Sequence, residues 1–230
     1  MLPRFYLTHF NWENTMIRRI QLAPIVLALG LVSGAAHAAL QGRDLNGSAG
    51  SFEAYYDTDL NITWLANANA NGQMTWANAN TWAANLSFTD GVNVYNNWRL
   101  PTTLQPDASC GSQSGGGTSA GYGCTGSEMG HLFYSELGGT AAQSAKFTNF
   151  QTYYYWSGTQ SALLTDSAWI YYFGFGTVSG TGWQGVYNKI ETIFALAVSP
   201  GDVGAVPEAQ TYALMLAGLG LIGWRARRRG

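Results

Sequence analysis

Four groups of residues in this 230-residue chain have the types and spacing to do chemistry. Cys110 and Cys124 are the only cysteines and bracket the stretch CGSQSGGGTSAGYGC, which reads as too glycine-rich to order itself. A disulfide is the natural reading in an oxidising compartment, and closing such a loop contributes roughly 3 kcal/mol in the chain-entropy model. The alternative is a reactive or copper-binding pair of free thiols, which lacks the support of a CxxC spacing. Asp57, Asp59 and Asn61 alternate as in a calcium loop, but an EF-hand starting at Asp57 needs Gly where Ile62 stands and Glu where Ala68 stands, so a structural turn is expected. Arg99, held between Trp98 and Leu100-Pro101, is one of two arginines between residues 39 and 205. It is expected to pair with a carboxylate, and Glu128 is a good partner. His131 is the only histidine between those residues, which excludes a multi-histidine metal site and leaves no catalytic triad. No metal, cofactor or catalytic residue is assigned.

These residues lie in a chain with little charge. Asp, Glu, Lys and Arg make up 10% of it, against roughly 25% in ordinary domains. Most of the cations lie at the two ends. Between residues 39 and 205 four cations face eleven carboxylates, about seven negative charges net, so a phosphate backbone has nothing to bind and nucleic acid is excluded as a partner.

The ends read as addresses. From Met16, an alternative start, Arg18 and Arg19 precede an apolar stretch and small residues at Ala36 and Ala38. This is a secretory signal peptide over residues 1–38, which implies the Sec translocon and a signal peptidase as partners. At the other end Val206, Pro207 and Glu208 precede the apolar run YALMLAGLGLIGW and then Arg225, Arg227, Arg228 and Arg229. The run is short for a membrane span of roughly 20 residues, while the arginines act as a stop on the cytoplasmic side of the inner membrane. Pro207 keeps the preceding residues extended and accessible. This order of features resembles a PEP-CTERM sorting tail, with Ala209 in place of the usual second proline. The resemblance implies a Gram-negative source, an exosortase as partner, a transient stay as an apolar transmembrane helix, and delivery to the cell surface or an exopolysaccharide matrix.

The elements between must position everything else. SFEAYYDTDLNITWL reads as strand, turn, strand. MTWANANTWAANL places apolar residues at helical spacing over 76–86. GSEMGHLFYSELGG reads as a second helix with Met129, Leu132, Phe133 and Leu137 on its apolar stripe. YYYWSGT, AWIYYFGFG and FALAVSPG read as strands. The expected fold class is α+β, with a linker over 39–50, one domain over 51–203 and the tail over 204–230. Trp98, Arg99, Leu100 and Pro101, then Glu128, then Trp156 and Ser157 in YWSGT, resemble the Lcl C-terminal-like family, a bacterial group classed as a domain of unknown function. The cysteine loop is an insertion relative to that pattern, and the usual closing arginine and cysteine are missing. The resemblance implies a C-type-lectin-like domain, shared distantly with formylglycine-generating enzymes. The triplet Gln105-Pro106-Asp107 matches a sugar-specifying element of calcium lectins, but the second element those lectins need is absent. The expected function is therefore a non-catalytic exported protein that binds polysaccharide or another envelope component. Tyr153, Tyr154 and Tyr155 are the candidate ligand contacts, because three tyrosines in one strand must alternate between its faces. A structural surface subunit without a small ligand is the alternative reading, and an enzyme a more distant one.

Overall fold

The computed structural model describes residues 40–48, 50–139, 145–174, 182–204 and 216–219. The signal peptide, the sorting motif and the terminal arginines lie outside the described residues. Within them the fold is α+β and mostly β. Four strands form one antiparallel sheet in the order β1 (Gln41–Arg43), β2 (Ala54–Asp57), β3 (Ile62–Leu65), β11 (Val198–Pro200). Five form a second antiparallel sheet in the order β6 (Ser112–Ser114), β7 (Thr118–Tyr122), β10 (Trp183–Asn188), β9 (Ser167–Tyr172), β8 (Tyr154–Gln160). A two-stranded ribbon, β4 (Phe88–Thr89) with β5 (Val94–Tyr95), follows helix α1 (Trp76–Ala84).

The expected strand-turn-strand is β2–β3, with Asp57 Oδ1 accepting from the backbone N–H groups of Asp59 and Leu60, each at 3.1 Å. That is an Asx turn, the local bond by which Asp favours reversals over helix. One expectation is corrected. The stretch 39–50 is not a bare linker, because β1 pairs with β2 and Arg43 forms an ion pair with Asp202 just beyond β11. The cysteine loop is closed by the expected Cys110–Cys124 disulfide, and within it β6 and β7 make a hairpin turning through Gly116 and Gly117, both at positive φ. No alternation of apolar residues announces this hairpin. It is fixed by the crosslink, and by Gln105 and Gln113 bonding to Ser119 from outside and inside the loop.

The second helix forms, with Met129, Leu132, Phe133 and Leu137 all buried as expected from the stripe. Its pitch differs from the α-helical expectation: α2 (Glu128–His131) runs into a π-helical segment over Leu132–Glu136, in which the Leu137 N–H reaches the Leu132 carbonyl five residues back. Among the described residues no helix is long and apolar enough to cross a membrane.

The core has two parts, and the five-stranded sheet contributes to both. Tyr155, Tyr171 and Phe173 pack with Trp64, Leu132, Phe133 and Leu196, while Trp156, Ala168 and Ile170 pack with Leu65, Ala79, Ala83, Trp98 and Leu100. Neighbours along each strand thus serve opposite clusters, as the two-residue period of a strand requires. The crosslinked hairpin β6–β7 is the far edge of this sheet, which gives the disulfide its structural weight. Replacing Cys110 and Cys124 by serine is expected to lower stability by about 2–4 kcal/mol, read as a shift of the urea midpoint against the oxidised protein.

Candidate functional site

The motif around Arg99 is a brace. Arg99 exchanges both backbone hydrogen bonds with Val198, and its guanidinium meets Glu128 through two parallel bonds of 2.8 and 2.7 Å. Glu128 Oε2 also accepts from the Thr102 N–H, so one carboxylate fixes both the motif and the start of α2. Pro101 contributes its carbonyl to the Ser157 hydroxyl at 2.9 Å and to the Gly158 N–H at 2.8 Å, while the Trp156 indole N–H reaches the Met74 carbonyl at 2.8 Å. Trp98, Leu100, Trp156 and Ser157 are buried. The motif residues that the sequence pattern singles out therefore come together, and they do so around the Arg99–Glu128 pair. Glu128→Ala leaves the Arg99 guanidinium with only its bond to the Leu100 carbonyl and the Thr102 N–H without its acceptor. We expect a loss of about 1–2 kcal/mol in denaturant unfolding, the partial exposure of Arg99 keeping it below the cost of breaking a fully buried pair.

Gln105-Pro106-Asp107 is likewise consumed internally. The Asp107 carboxylate accepts from the Ser109 N–H and hydroxyl and from the Gly126 N–H, and Asp107 is buried.

Only two of the three tyrosines lie in a strand, because β8 starts at Tyr154 and Tyr153 precedes it. Tyr155 is fully buried, its hydroxyl accepting from the Gln151 N–H, which removes it from the ligand-contact candidates. Tyr154 is half-buried on the opposite face of β8, as alternation demands, and Tyr153 is 45% exposed. Tyr154 belongs to a larger feature that the sequence reading did not assemble. It stands directly opposite Tyr172 on β9, Tyr172 opposite Trp183 on β10, and Trp183 opposite Tyr122 on β7. These four side chains, one from each of four adjacent strands, line a shallow pocket of about 290 Å³. Adjacent strands lie about 4.8 Å apart, so the row extends on the order of 14 Å across the sheet. Tyr154 and Tyr172 have ring centroids 4.8 Å apart, and Tyr187, 41% exposed, stacks beside Tyr154 at 6.1 Å and 16°. Burial and the neighbouring phenols push the Tyr154 hydroxyl up from its ordinary pKa, so it stays a neutral donor and acceptor.

Two glycines give these rings room. A Cβ on Gly185 would fall 1.9 Å from the Trp183 ring, and one on Gly174 would fall 2.3 Å from the Tyr172 ring. Each ring therefore lies over the backbone of a glycine two residues along its own strand or just past its end. The signal was present as W-x-G in WQG and Y-x-G in YFG. The cross-strand register that unites them is not visible in any local window.

A second group lies beside the turn after β2. The His131 Nε2 atom is 3.6 Å from Glu136 Oε1, 3.8 Å from Asp57 Oδ1 and 4.0 Å from Asp59 Oδ2. The Glu136 side chain is 2% exposed and that of His131 14%. Burial, then the Asp57 charge, raise the Glu136 carboxyl above its ordinary pKa, with His131 opposing. A carboxyl raised on folding favours the fold below the ordinary glutamate range and loses that contribution as pH rises through the raised value. In metal-free buffer Glu136→Gln should therefore melt higher than the parent chain at pH 7, and the gap should narrow as pH falls toward about 4.

Comparison with known proteins finds the PEP-CTERM protein-sorting motif over residues 205–229, which contain Val206, Pro207, Glu208 and the four terminal arginines. No curated protein and no solved structure matches the chain. The motif points to an exported protein that an exosortase processes at the membrane and that ends on the cell surface.

Proposed function

We propose that this is a non-catalytic surface or matrix protein that holds a neutral polysaccharide along the row Tyr122–Trp183–Tyr172–Tyr154. The observation that carries the reading is the register: four aromatic side chains at one level of four neighbouring strands, over a 290 Å³ trough. Aromatic faces carry a negative quadrupole and a flat apolar surface. The C–H faces of sugar rings fit such a surface, and tyrosine hydroxyls at its edge can bond to sugar hydroxyls. A row of order 14 Å matches a short oligosaccharide segment better than a single sugar. The excess of carboxylates, eleven against four cations between residues 39 and 205, favours an uncharged chain over an acidic one. Sorting to the cell surface would bring the row to exopolysaccharide.

The C-type-lectin-like reading of the domain rests on Trp98–Pro101, Glu128 and Trp156–Ser157, which meet in space around the Arg99–Glu128 pair. The disulfide argues against chemistry like that of the formylglycine-generating enzymes, because both thiols are consumed in it.

A glycan array followed by calorimetry on the best ligand tests this. Trp183→Ala and Tyr172→Ala should each weaken binding at least tenfold, and Gly185→Val should weaken it by crowding the Trp183 ring. Tyr153→Ala, next to the row but not in it, should cost less. A blank array together with concentration-dependent oligomers would replace the reading with that of a structural subunit.

A further inference from the structure

The His131 group has features that the polysaccharide reading does not use. Two of its buried atoms, His131 Nε2 and Glu136 Oε1, have no hydrogen-bond partner, although leaving a buried polar atom unpaired is costly. Both point into the space they share with Asp57. In an α-helix, residues five apart sit about 140° apart around the axis. The π-helical segment over Leu132–Glu136, with its five-residue hydrogen bond to Leu137, brings Glu136 back round to the His131 side. Such bulges cost helix regularity and recur at functional sites.

We propose that Asp57, His131 and Glu136, with Asp59 at the rim, bind one divalent transition-metal ion of the zinc type. The donor set is one imidazole nitrogen and carboxylate oxygens, and the ligand atoms of Asp57, His131 and Glu136 all lie within 4.8 Å of one another. Tetrahedral zinc with bonds of 2.0–2.2 Å sets neighbouring donors about 3.4 Å apart. The separations of 3.6, 3.8 and 4.0 Å from His131 Nε2 exceed this by a few tenths of an ångström, and the Asp57 and Glu136 oxygens lie within 4.8 Å of each other. The outer contacts favour the same assignment. Asp57 Oδ1 is held by the Asp59 and Leu60 N–H groups, and Oδ2 by the Trp64 indole N–H at 3.2 Å, so the carboxylate is oriented before an ion arrives. Calcium fits poorly, since it takes six to eight oxygens and little use of an imidazole. The ion would bring a dication to three carboxylates that otherwise share one imidazole, and would tie the turn after β2 to the helix.

The test is calorimetric titration of the chelator-stripped chain with zinc chloride, with calcium chloride as comparison. The expected result is one saturable zinc site per chain, a raised Tm on zinc addition, and at least tenfold weaker zinc binding in His131→Gln and Glu136→Gln. Asp59→Asn, at a half-exposed carboxylate, should weaken zinc several-fold while the metal-free chain still folds, which keeps the test decisive if the His131 variant fails to fold. Absence of a saturable zinc site, or zinc binding unchanged in Glu136→Gln and Asp59→Asn, overturns the proposal.

Discussion

The register of β8, β9 and β10 is the constraint on which the rest depends. Because successive side chains alternate, a one-residue slip would exchange the faces of Tyr155 and Trp156, and of Tyr171 and Ile170, between two differently shaped clusters. Trp156 is further pinned by its indole bond to the Met74 carbonyl, and Tyr155 by its hydroxyl bond to Gln151. With the large rings committed on both faces, the level of Tyr154, Tyr172 and Trp183 is determined too. The aromatic row is thus a consequence of core packing carried to the rim of the sheet, where the Trp156 cluster ends and solvent begins.

Two crosslinks of different kinds hold the surroundings to that sheet. The Arg99–Glu128 pair couples the WRLP segment to α2, and Pro101 and Val198 carry the coupling into β8 and β11. The disulfide keeps the β6–β7 hairpin against β10 and so delivers Tyr122 to the end of the row. A glycine- and serine-rich hairpin buries too little apolar surface to hold itself there. The covalent bond supplies what the side chains lack, which suits an exported protein in an oxidising compartment.

Legibility in the sequence followed the range of the interactions. Arg99 and Glu128 could be paired because few charges exist from which to choose. The apolar stripe Met129, Leu132, Phe133 and Leu137 was visible because helical spacing is local, and the strands YYYWSGT and AWIYY because aromatic runs favour sheets. The β6–β7 hairpin was not, since a covalent bond and not a hydrophobic pattern orders it. Nor was β10, whose WQGVYN has little apolar alternation. The His131 group brings together the turn after β2 and a helix more than seventy residues later, through a π-helical pitch that α-helical periodicity does not anticipate. Alternation sets Tyr154 and Tyr155 on opposite faces of β8, with Tyr153 falling before the strand, and which face is buried depends on tertiary packing.

β8 and β9 each carry a fully buried ring beside a ring of the row, Tyr155 with Tyr154 and Tyr171 with Tyr172, so one experiment can address both sets. NMR of protein labelled at the tyrosine rings, titrated with oligosaccharide fragments of the best-binding glycan, distinguishes the two sets directly. Saturable shifts are expected in the Tyr122, Tyr154 and Tyr172 ring signals, with those of Tyr155 and Tyr171 unmoved. Saturable binding that leaves the Tyr122, Tyr154 and Tyr172 signals unmoved would rule out the row as the binding surface.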